Sequence, residues 1–197
     1  MSKVCIIFAV LLWVTLSSAA QSPWLPASVG LRYSEQISNG PAGNCGCFAM
    51  QGVAADAYWK IVPLSRGANL GLAVDTAVEN TSNMNQAGYG LDLFSFTAGP
   101  RLRLTTHRVQ TFAQALFGVA HGWGSEFPSG GNTLSSSASS FALDVGAGAD
   151  YPLNIFFKRL SLRVPQVDYL RTSLPNNSSN WQNNLRVSAG VTLRIAR

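Results

Sequence analysis

The chain has 197 residues, a formal net charge of +5 and 12% charged residues, whereas about a quarter of a soluble domain is usually charged. This length suits one domain, and the arginines are spread singly, which excludes the concentrated basic face of a nucleic-acid-binding protein. Beyond the first 20 residues no segment has the apolar length of a membrane-spanning helix, so a helical membrane protein is excluded too.

The first 20 residues have the layout of a secretory signal peptide. Lys3 precedes an apolar run from Val4 to Leu16, and small residues follow at Ser18 and Ala20. This run is short for a membrane anchor, which is the alternative, and a cleavage site follows it. We therefore expect residues 1–20 to be removed on export and residues 21–197 to form the mature domain.

Four segments in the first half alternate apolar and polar residues, the pattern of strands with one apolar face. In chain order they are "SVGLRYSEQI" (28–37), "CFAMQGVAADAYWK" (47–60), "ANLGLAVDT" (68–76) and "FSFTAGPRLRL" (94–104).

Four more segments complete a prediction of eight strands. They are "VQTFAQALFGVAHG" (109–122), "FALDVGAGADY" (141–151), "LSLRVPQVDYLRT" (160–172) and the alternating stretch that begins at Leu185. In the third of these the alternation slips by one residue at Pro165. A proline inside a strand indicates a β-bulge, which inserts one residue and shifts the phase.

The connections between these strands alternate in length. The long ones are rich in Gly, Ser and Asn and fall at Asn39–Gly46, Asn80–Gly90, Trp123–Ser137 and Ser173–Asn183. The shorter ones fall at Val62–Gly67, Thr105–Arg108 and Pro152–Phe156. This alternation is typical of an up-and-down barrel in an outer membrane, with short periplasmic turns and long extracellular loops.

The polar faces of the strands carry eleven charged residues, all of them Arg or Asp. In a soluble lipocalin-like barrel, the alternative, these would face water and the apolar residues would bind an apolar ligand. Arg is suited to buried pairing with carboxylates, and neighbouring small residues leave room for it, which favours a membrane barrel with a charged interior. The candidate polar interior comprises Arg32, Asp56, Asp75, Arg101, Arg103, Asp144, Asp150, Arg163, Asp168, Arg186 and Arg194.

Several of these segments resemble the OmpA-like family of small bacterial outer-membrane barrels, over nearly all of the mature chain. The segments that carry the resemblance are "AGPRLRL", "FAQALFGVAHG", "FALDVGAGADY", "LRVPQVDYLRT" and "NNLRVSAGVTLRI". The resemblance implies an eight-stranded antiparallel transmembrane β-barrel with both ends in the periplasm and no enzyme activity. Members commonly end on an aromatic residue that the barrel-assembly machinery recognises, whereas this chain ends Ile195-Ala196-Arg197.

The expected function is therefore structural or surface-interactive, in the outer membrane of a Gram-negative-type bacterium, with minor solute or ion permeation as an addition. We expect outer-membrane lipid and the barrel-assembly machinery as partners, a monomer, no nucleic acid, and neither cofactor nor metal.

Two smaller features suggest further chemistry. Cys45 and Cys47 can form a disulfide after export, and two cysteines without nearby His do not make a zinc site. His121, Ser125 and Glu126 lie at the predicted outer end of the fifth strand, where a His can activate a Ser hydroxyl. Their resemblance to the residues of lipid A-modifying outer-membrane enzymes leaves such an enzyme as a second alternative.

Overall fold

The computed structural model describes residues 27–39, 47–65, 67–82, 90–107, 109–128, 134–153, 159–175 and 181–195. Within these ranges the chain forms eight strands and no helix long and apolar enough to cross a membrane. The strands are β1 (Ser28–Asn39), β2 (Cys47–Ser65), β3 (Ala68–Thr81), β4 (Leu91–Thr106), β5 (Val109–Pro128), β6 (Leu134–Pro152), β7 (Leu160–Thr172) and β8 (Gln182–Arg194). The signal segment and Cys45 lie outside the described residues.

Each strand pairs antiparallel with the next one in sequence, and β8 pairs with β1 to close the barrel. The closing register places Leu31 opposite Val191 and Ile37 opposite Leu185. Closure gives every strand two neighbours, so the backbone groups are paired and no sheet edge stays open. The predicted fold class, an eight-stranded up-and-down barrel, is confirmed.

The two ends of the barrel differ in their connections. At one end the turns are short: only two residues separate β2 from β3. One of them, Gly67, has a φ of 90°, and its carbonyl accepts a 2.7 Å bond from the Thr105 amide. A positive φ is a conformation that glycine adopts without steric cost. The chain enters β1 and leaves β8 at this same end. The long connections lie at the opposite end of the barrel, which we call the outer end.

Several strands extend further than the apolar pattern predicts. β5 continues to Pro128 and β6 begins at Leu134, so the predicted loop Trp123–Ser137 was wrong for most of its length. A membrane needs only about 9–11 residues of tilted strand, whereas β5 has 20 residues. Beyond the membrane the outer face of the strand no longer meets lipid, and the alternation that marks a lipid-facing strand is lost.

The predicted bulge at Pro165 is confirmed. The pairing of β7 with β8 shifts register between Arg163 and Gln166. Val164 and Pro165 are both exposed, while the residues on either side of them are buried. The extra residue therefore returns the charged side chains of both halves of β7 to the same face of the sheet.

The outer surface of the barrel is apolar. Leu31 (60% exposed), Phe117 (50%) and Phe141 (53%) belong to a belt of exposed aliphatic and aromatic side chains contributed by every strand. Most charged side chains of the same strands point inward and are buried, among them five arginines and six carboxylates. This arrangement is the reverse of a soluble barrel and contradicts the lipocalin-like alternative, in which the apolar face would line the interior.

Candidate functional site: the charged interior of the barrel

Ten of the eleven predicted interior residues are buried inside the barrel, with at most 5% of their surface exposed. The exception is Arg194, which has the inward phase but is exposed at the end of β8. Its strand ends there, so the neighbouring walls no longer enclose the side chain. The interior prediction was wrong for Arg194.

Arg163 is the centre of the half of the network nearer the short turns. Its guanidinium binds Asp150 with two parallel bonds, Nε to Oδ1 at 2.6 Å and Nη2 to Oδ2 at 3.0 Å. Its third nitrogen, Nη1, reaches Asp56 Oδ1 at 2.7 Å. Arg101 holds the other oxygen of Asp56, with Nη1 to Oδ2 at 2.5 Å. Two arginines therefore share one carboxylate across the lumen.

Arg186 is the centre of the other half of the network. Its Nη2 atom lies 2.5 Å from Asp144 Oδ2 and 3.5 Å from Asp75 Oδ1. Arg32 binds the second oxygen of Asp75 and lies 3.7 Å from Asp56, which joins the two halves. Charge neutralisation of this kind offsets the cost of burying each ion.

Asp168 lies between the two halves and is held mainly by amides. Gln166 Nε2 donates to its two oxygens at 3.0 and 2.8 Å, and Gln114 Nε2 donates to Oδ1 at 3.1 Å. Gln114 also accepts from Arg101 Nε at 2.8 Å. Neither Gln114 nor Gln166 was among the predicted interior residues, although both share the phase of the buried charges.

Two aromatic rings stack against the arginines. Phe112 lies between Arg101 and Arg163, whose guanidinium carbons are 4.7 and 4.6 Å from its ring centre. Arg103 lies 4.0 Å from the ring centre of Tyr58. Among the described residues, Arg103 has no carboxylate partner within salt-bridge distance. The ring of Tyr58 therefore supplies its closest electrostatic contact.

Glu79 is a sixth buried carboxylate, which the sequence analysis missed. It is 1% exposed and accepts a 2.8 Å bond from the Ser34 hydroxyl. Its position four residues after Asp75 gives it the inward phase of β3, and that phase is the signal that identifies it. Its segment continues past the predicted strand end at residue 76, so it was left in no element.

Glycines make room for this network. A Cβ atom at Gly146 would overlap the carboxylate of Asp168, and one at Gly30 would overlap that of Asp56. An eight-stranded barrel has an interior only just wide enough for its side chains. The small residues on the polar faces therefore leave the space that the carboxylates occupy.

An apolar layer closes the interior toward the outer end, and the sequence analysis missed it. Met50, Leu93 and Leu170 are at most 2% exposed and point inward above the charges. The layer comprises Met50, Leu91, Leu93, Ala120, Phe127, Ala142, Leu170 and Leu174. It lies toward the outer end of the strands and overlaps the upper part of the apolar belt, because the buried Ala120 and Ala142 directly follow the exposed Val119 and Phe141.

The three residues behind the enzyme alternative, His121, Ser125 and Glu126, do not form one hydrogen-bonded group among the described residues. His121 faces outward and its Nδ1 atom lies 2.7 Å from the Ser139 hydroxyl of β6, while its ring stacks on Trp123. Within the described part of the chain neither Ser125 nor Glu126 bonds to His121. Closeness in sequence did not predict the contact of His121, because the residue opposite it in the β5–β6 register is Ser139.

The predictions of a disulfide between Cys45 and Cys47 and of no metal site concern residues outside this charged interior or are only partly covered by the described residues. Cys47 is exposed at the first position of β2 and forms no disulfide with another described residue. Its possible partner Cys45 is outside the described residues, so the bridge stays a prediction. The described residues contain no group of three or more His, Cys, Asp or Glu side chains placed to hold a metal ion.

Comparison with solved structures identifies the fold. The structure of Neisserial surface protein A (NspA) superposes with a TM-score of 0.62 at 18% identity, covering 85% of this chain and 96% of that one. The chain has the fold of the OmpA-like small outer-membrane β-barrels. No family model and no curated protein matches its sequence.

Two other structures match over most of their length with lower scores. Ail of Yersinia pestis, solved with a heparin analogue, has a TM-score of 0.46 at 15% identity and covers 86% of this chain and 100% of its own. The outer-membrane enzyme PagL has a TM-score of 0.49 at 15% identity and covers 83% and 99%.

The interior of this outer-membrane barrel fold is filled by its own side chains. Five arginines and six carboxylates are buried within the described interior, held in place by short bonds and covered by the apolar layer. Such an interior is suited to holding the strands in one register. The chemistry of this site is mutual neutralisation of charge.

Proposed function

We propose that the protein is a closed outer-membrane barrel with a structural and surface-interaction role. The observation that carries this proposal is the opposition of faces: an apolar belt outside and a paired charge network inside. An apolar outer surface of this extent is favourable only in contact with lipid, because each exposed apolar side chain would otherwise meet water. The ends of the chain and the short turns then face the periplasm, and the four long connections reach the cell surface.

Permeation is a minor property in this proposal. Every described arginine in the interior except Arg103 binds a carboxylate, and the apolar layer of Met50, Leu93 and Leu170 lies across the outer end. An ion entering the lumen would have to displace buried pairs and then cross an apolar constriction. We expect the surface connections, rather than the lumen, to make contact with other molecules.

Two measurements on one preparation test the proposal. Cell fractionation followed by unboiled and boiled detergent gels is expected to place the protein in the outer membrane with a heat-dependent change in mobility. In planar bilayers the folded protein is expected to show no discrete conductance steps. A water-soluble periplasmic protein without a mobility change would contradict the location, and stable open channels would contradict the closed interior.

A second candidate function, lipid modification, is favoured by the His121–Ser139 contact alone. Both residues face outward near the upper limit of the apolar belt, where they are accessible from the membrane. A His that accepts a proton from a Ser hydroxyl is the arrangement of a nucleophilic hydrolase, though an orienting carboxylate usually completes it. Release of acyl chains from lipid A by the purified barrel, abolished by both His121→Ala and Ser139→Ala, would establish this activity.

A further inference from the structure

Two stacked side chains lie just inside the lumen at the short-turn end. Arg103 is 4% exposed, whereas Thr105, the next inward residue of β4 toward that end, is exposed. Tyr58 is buried in the same way on β2, and Lys60 beyond it is exposed. The guanidinium carbon of Arg103 lies 4.0 Å from the centre of the Tyr58 ring. Both side chains are therefore enclosed, yet only one inward position separates them from solvent.

The hydrogen-bond donors of these two side chains are unpartnered. Nε and Nη2 of Arg103 and the hydroxyl of Tyr58 are buried and form no hydrogen bond with a described residue. Arg101, the adjacent inward residue of β4, donates from Nε to Gln114 and from Nη1 to Asp56, but its buried Nη2 is also unpartnered. A buried donor without an acceptor costs about 1–3 kcal/mol, and a charged one costs more. Four such donor atoms favour a ligand that accepts hydrogen bonds.

The sheet brings the hydroxyl of Tyr58 toward the two arginines. A Cβ atom at Gly71 of β3 would lie 2.6 Å from Cε2 and 2.7 Å from Cζ of the Tyr58 ring. The end of the ring that carries the hydroxyl therefore extends from β2 over this glycine. Gly71 is the residue of β3 that pairs with Arg101 of β4. The unpartnered donors of both strands thus belong to one part of the lumen.

The two unpartnered nitrogens of Arg103 form one edge of its guanidinium group. Arg163 uses the same two atoms, Nε and Nη2, to bind both oxygens of Asp150 at 2.6 and 3.0 Å. Such an edge matches two oxygens of a carboxylate, a phosphate or a sulfate. The Tyr58 hydroxyl and Arg101 Nη2 supply donors for a further oxygen. A tetrahedral oxyanion therefore matches this set of donors better than a carboxylate does.

The charge at this end of the lumen also favours an anion. In the half of the network nearer the short turns, Arg101, Arg103 and Arg163 accompany only two carboxylates, Asp56 and Asp150, which leaves one positive charge in excess. No acidic side chain of the described residues is exposed at this end. A positive opening of this kind attracts anions from solution. The exposed basic residues that continue the lumen-facing phase around it are Lys60, Arg159 and Arg194.

Beyond the surface contacts of the proposed function, we propose that Arg103, Tyr58 and Arg101 bind a tetrahedral oxyanion of the phosphate or sulfate class inside the short-turn end. Two of its oxygens accept from the Nε and Nη2 edge of Arg103, and a third accepts from the Tyr58 hydroxyl and Arg101 Nη2. The bound anion neutralises the excess positive charge of this half of the network. An interior only just wide enough for side chains admits the free anion but not the acyl chains of a phospholipid.

Isothermal titration calorimetry of the folded barrel in a non-ionic detergent tests this site, with sodium phosphate, sulfate or chloride at equal ionic strength. The wild type is expected to bind one phosphate or sulfate, and chloride about tenfold more weakly, because a monatomic ion cannot accept from all the donors at once. Tyr58→Phe keeps the ring that stacks on Arg103 but removes one donor, so we expect about tenfold weaker phosphate binding. Arg103→Gln removes the guanidinium edge, and its loss is expected to be larger.

Arg171→Gln is the matched control. Arg171 also stacks on an aromatic ring, with its guanidinium carbon 4.0 Å from the ring centre of Trp181, but it lies at the outer end of the barrel. The substitution removes the same charge as Arg103→Gln and is expected to leave phosphate binding unchanged. Heat-dependent gel mobility reports the folding of each variant, and Tyr58→Phe provides the test if Arg103→Gln does not fold.

Four results would overturn the proposal: chloride binding as tight as phosphate binding, unchanged phosphate binding by the variants of Tyr58 and Arg103, an equal loss in Arg171→Gln, or displacement of phosphate by phosphatidylglycerol added to the micelles. The last would identify a lipid headgroup as the ligand. This site requires only the folded barrel. A wild-type barrel that folds but binds none of the anions therefore defeats this inference while leaving the proposed function intact.

Discussion

Arg163 and Asp150 face each other across the β6–β7 pairing and are joined by two parallel hydrogen bonds of 2.6 and 3.0 Å. Both side chains are fully enclosed, and the remaining guanidinium nitrogen binds Asp56. This pair links neighbouring strands directly and a third strand through Asp56. The interior network therefore reinforces the backbone pairing of β6 with β7 and adds a connection to β2, with which neither strand pairs.

Asp150→Asn is expected to destabilise the folded barrel by about 3 kcal/mol, because it leaves Arg163 buried with reduced neutralisation. The urea midpoint of the refolded protein in lipid vesicles measures the change. Glu35→Gln is the control: Glu35 is exposed on the outside of β1, so its effect is expected within about 0.5 kcal/mol.

In the Asp150→Leu/Arg163→Met double variant we expect a smaller loss than the sum of the two single variants. Residues in one charge network usually couple by about 0.5–3 kcal/mol. Strictly additive losses would mean that the bidentate pair does not act as a unit.

Gly146→Ala is expected to lower stability by about 1–3 kcal/mol, because the added methyl group overlaps the carboxylate of Asp168 in a filled interior. Thermal loss of the compact gel form measures it. Ala147→Val enlarges the next residue on the same strand, but that residue points outward into lipid. If both variants melt like the wild type, the interior has room to spare.

Phe117→Arg places a charge in the middle of the apolar belt and is expected to cost about 2–4 kcal/mol in a bilayer. The fraction folded in lipid vesicles across a urea series measures this cost. Ala49→Arg is the control, because Ala49 is exposed nearer the outer end, where the same change costs about 0–1 kcal/mol. Equal effects of the two substitutions would place the lipid boundary elsewhere on the barrel.

Leu170→Ala is expected to lower stability by about 2–5 kcal/mol by opening a cavity in the apolar layer, where Leu170 is fully buried. The same substitution at Leu134, which is 58% exposed at the start of β6, serves as the control and is expected to be nearly neutral. Chemical unfolding of both variants distinguishes a packed layer from a loose one, for which the two changes would have similar effects.

The predictions from sequence succeeded where the alternation of residues is imposed by lipid. The phase of β8 is clear from Leu185 onward because one face meets hydrocarbon and the other meets the charged interior. The predictions from sequence failed in the parts of the strands where the two faces no longer differ in polarity. The Ser-rich start of β6 carries no alternation and was assigned to a loop, while Met50 and Leu170 follow the inward phase with apolar side chains.

The sequence by itself determined which face of each strand is apolar and that β7 contains a bulge, because a period of two and a proline are local properties. Only the tertiary structure decided which charges meet. Asp56 binds Arg101 and Arg163, which are 45 and 107 residues away. These partners lie on strands that do not pair with β2, and closure of the barrel brings them within hydrogen-bonding distance across the lumen. Closure also placed Arg194 outside the enclosed interior, since a strand's phase fixes the direction of a side chain but not whether walls surround it.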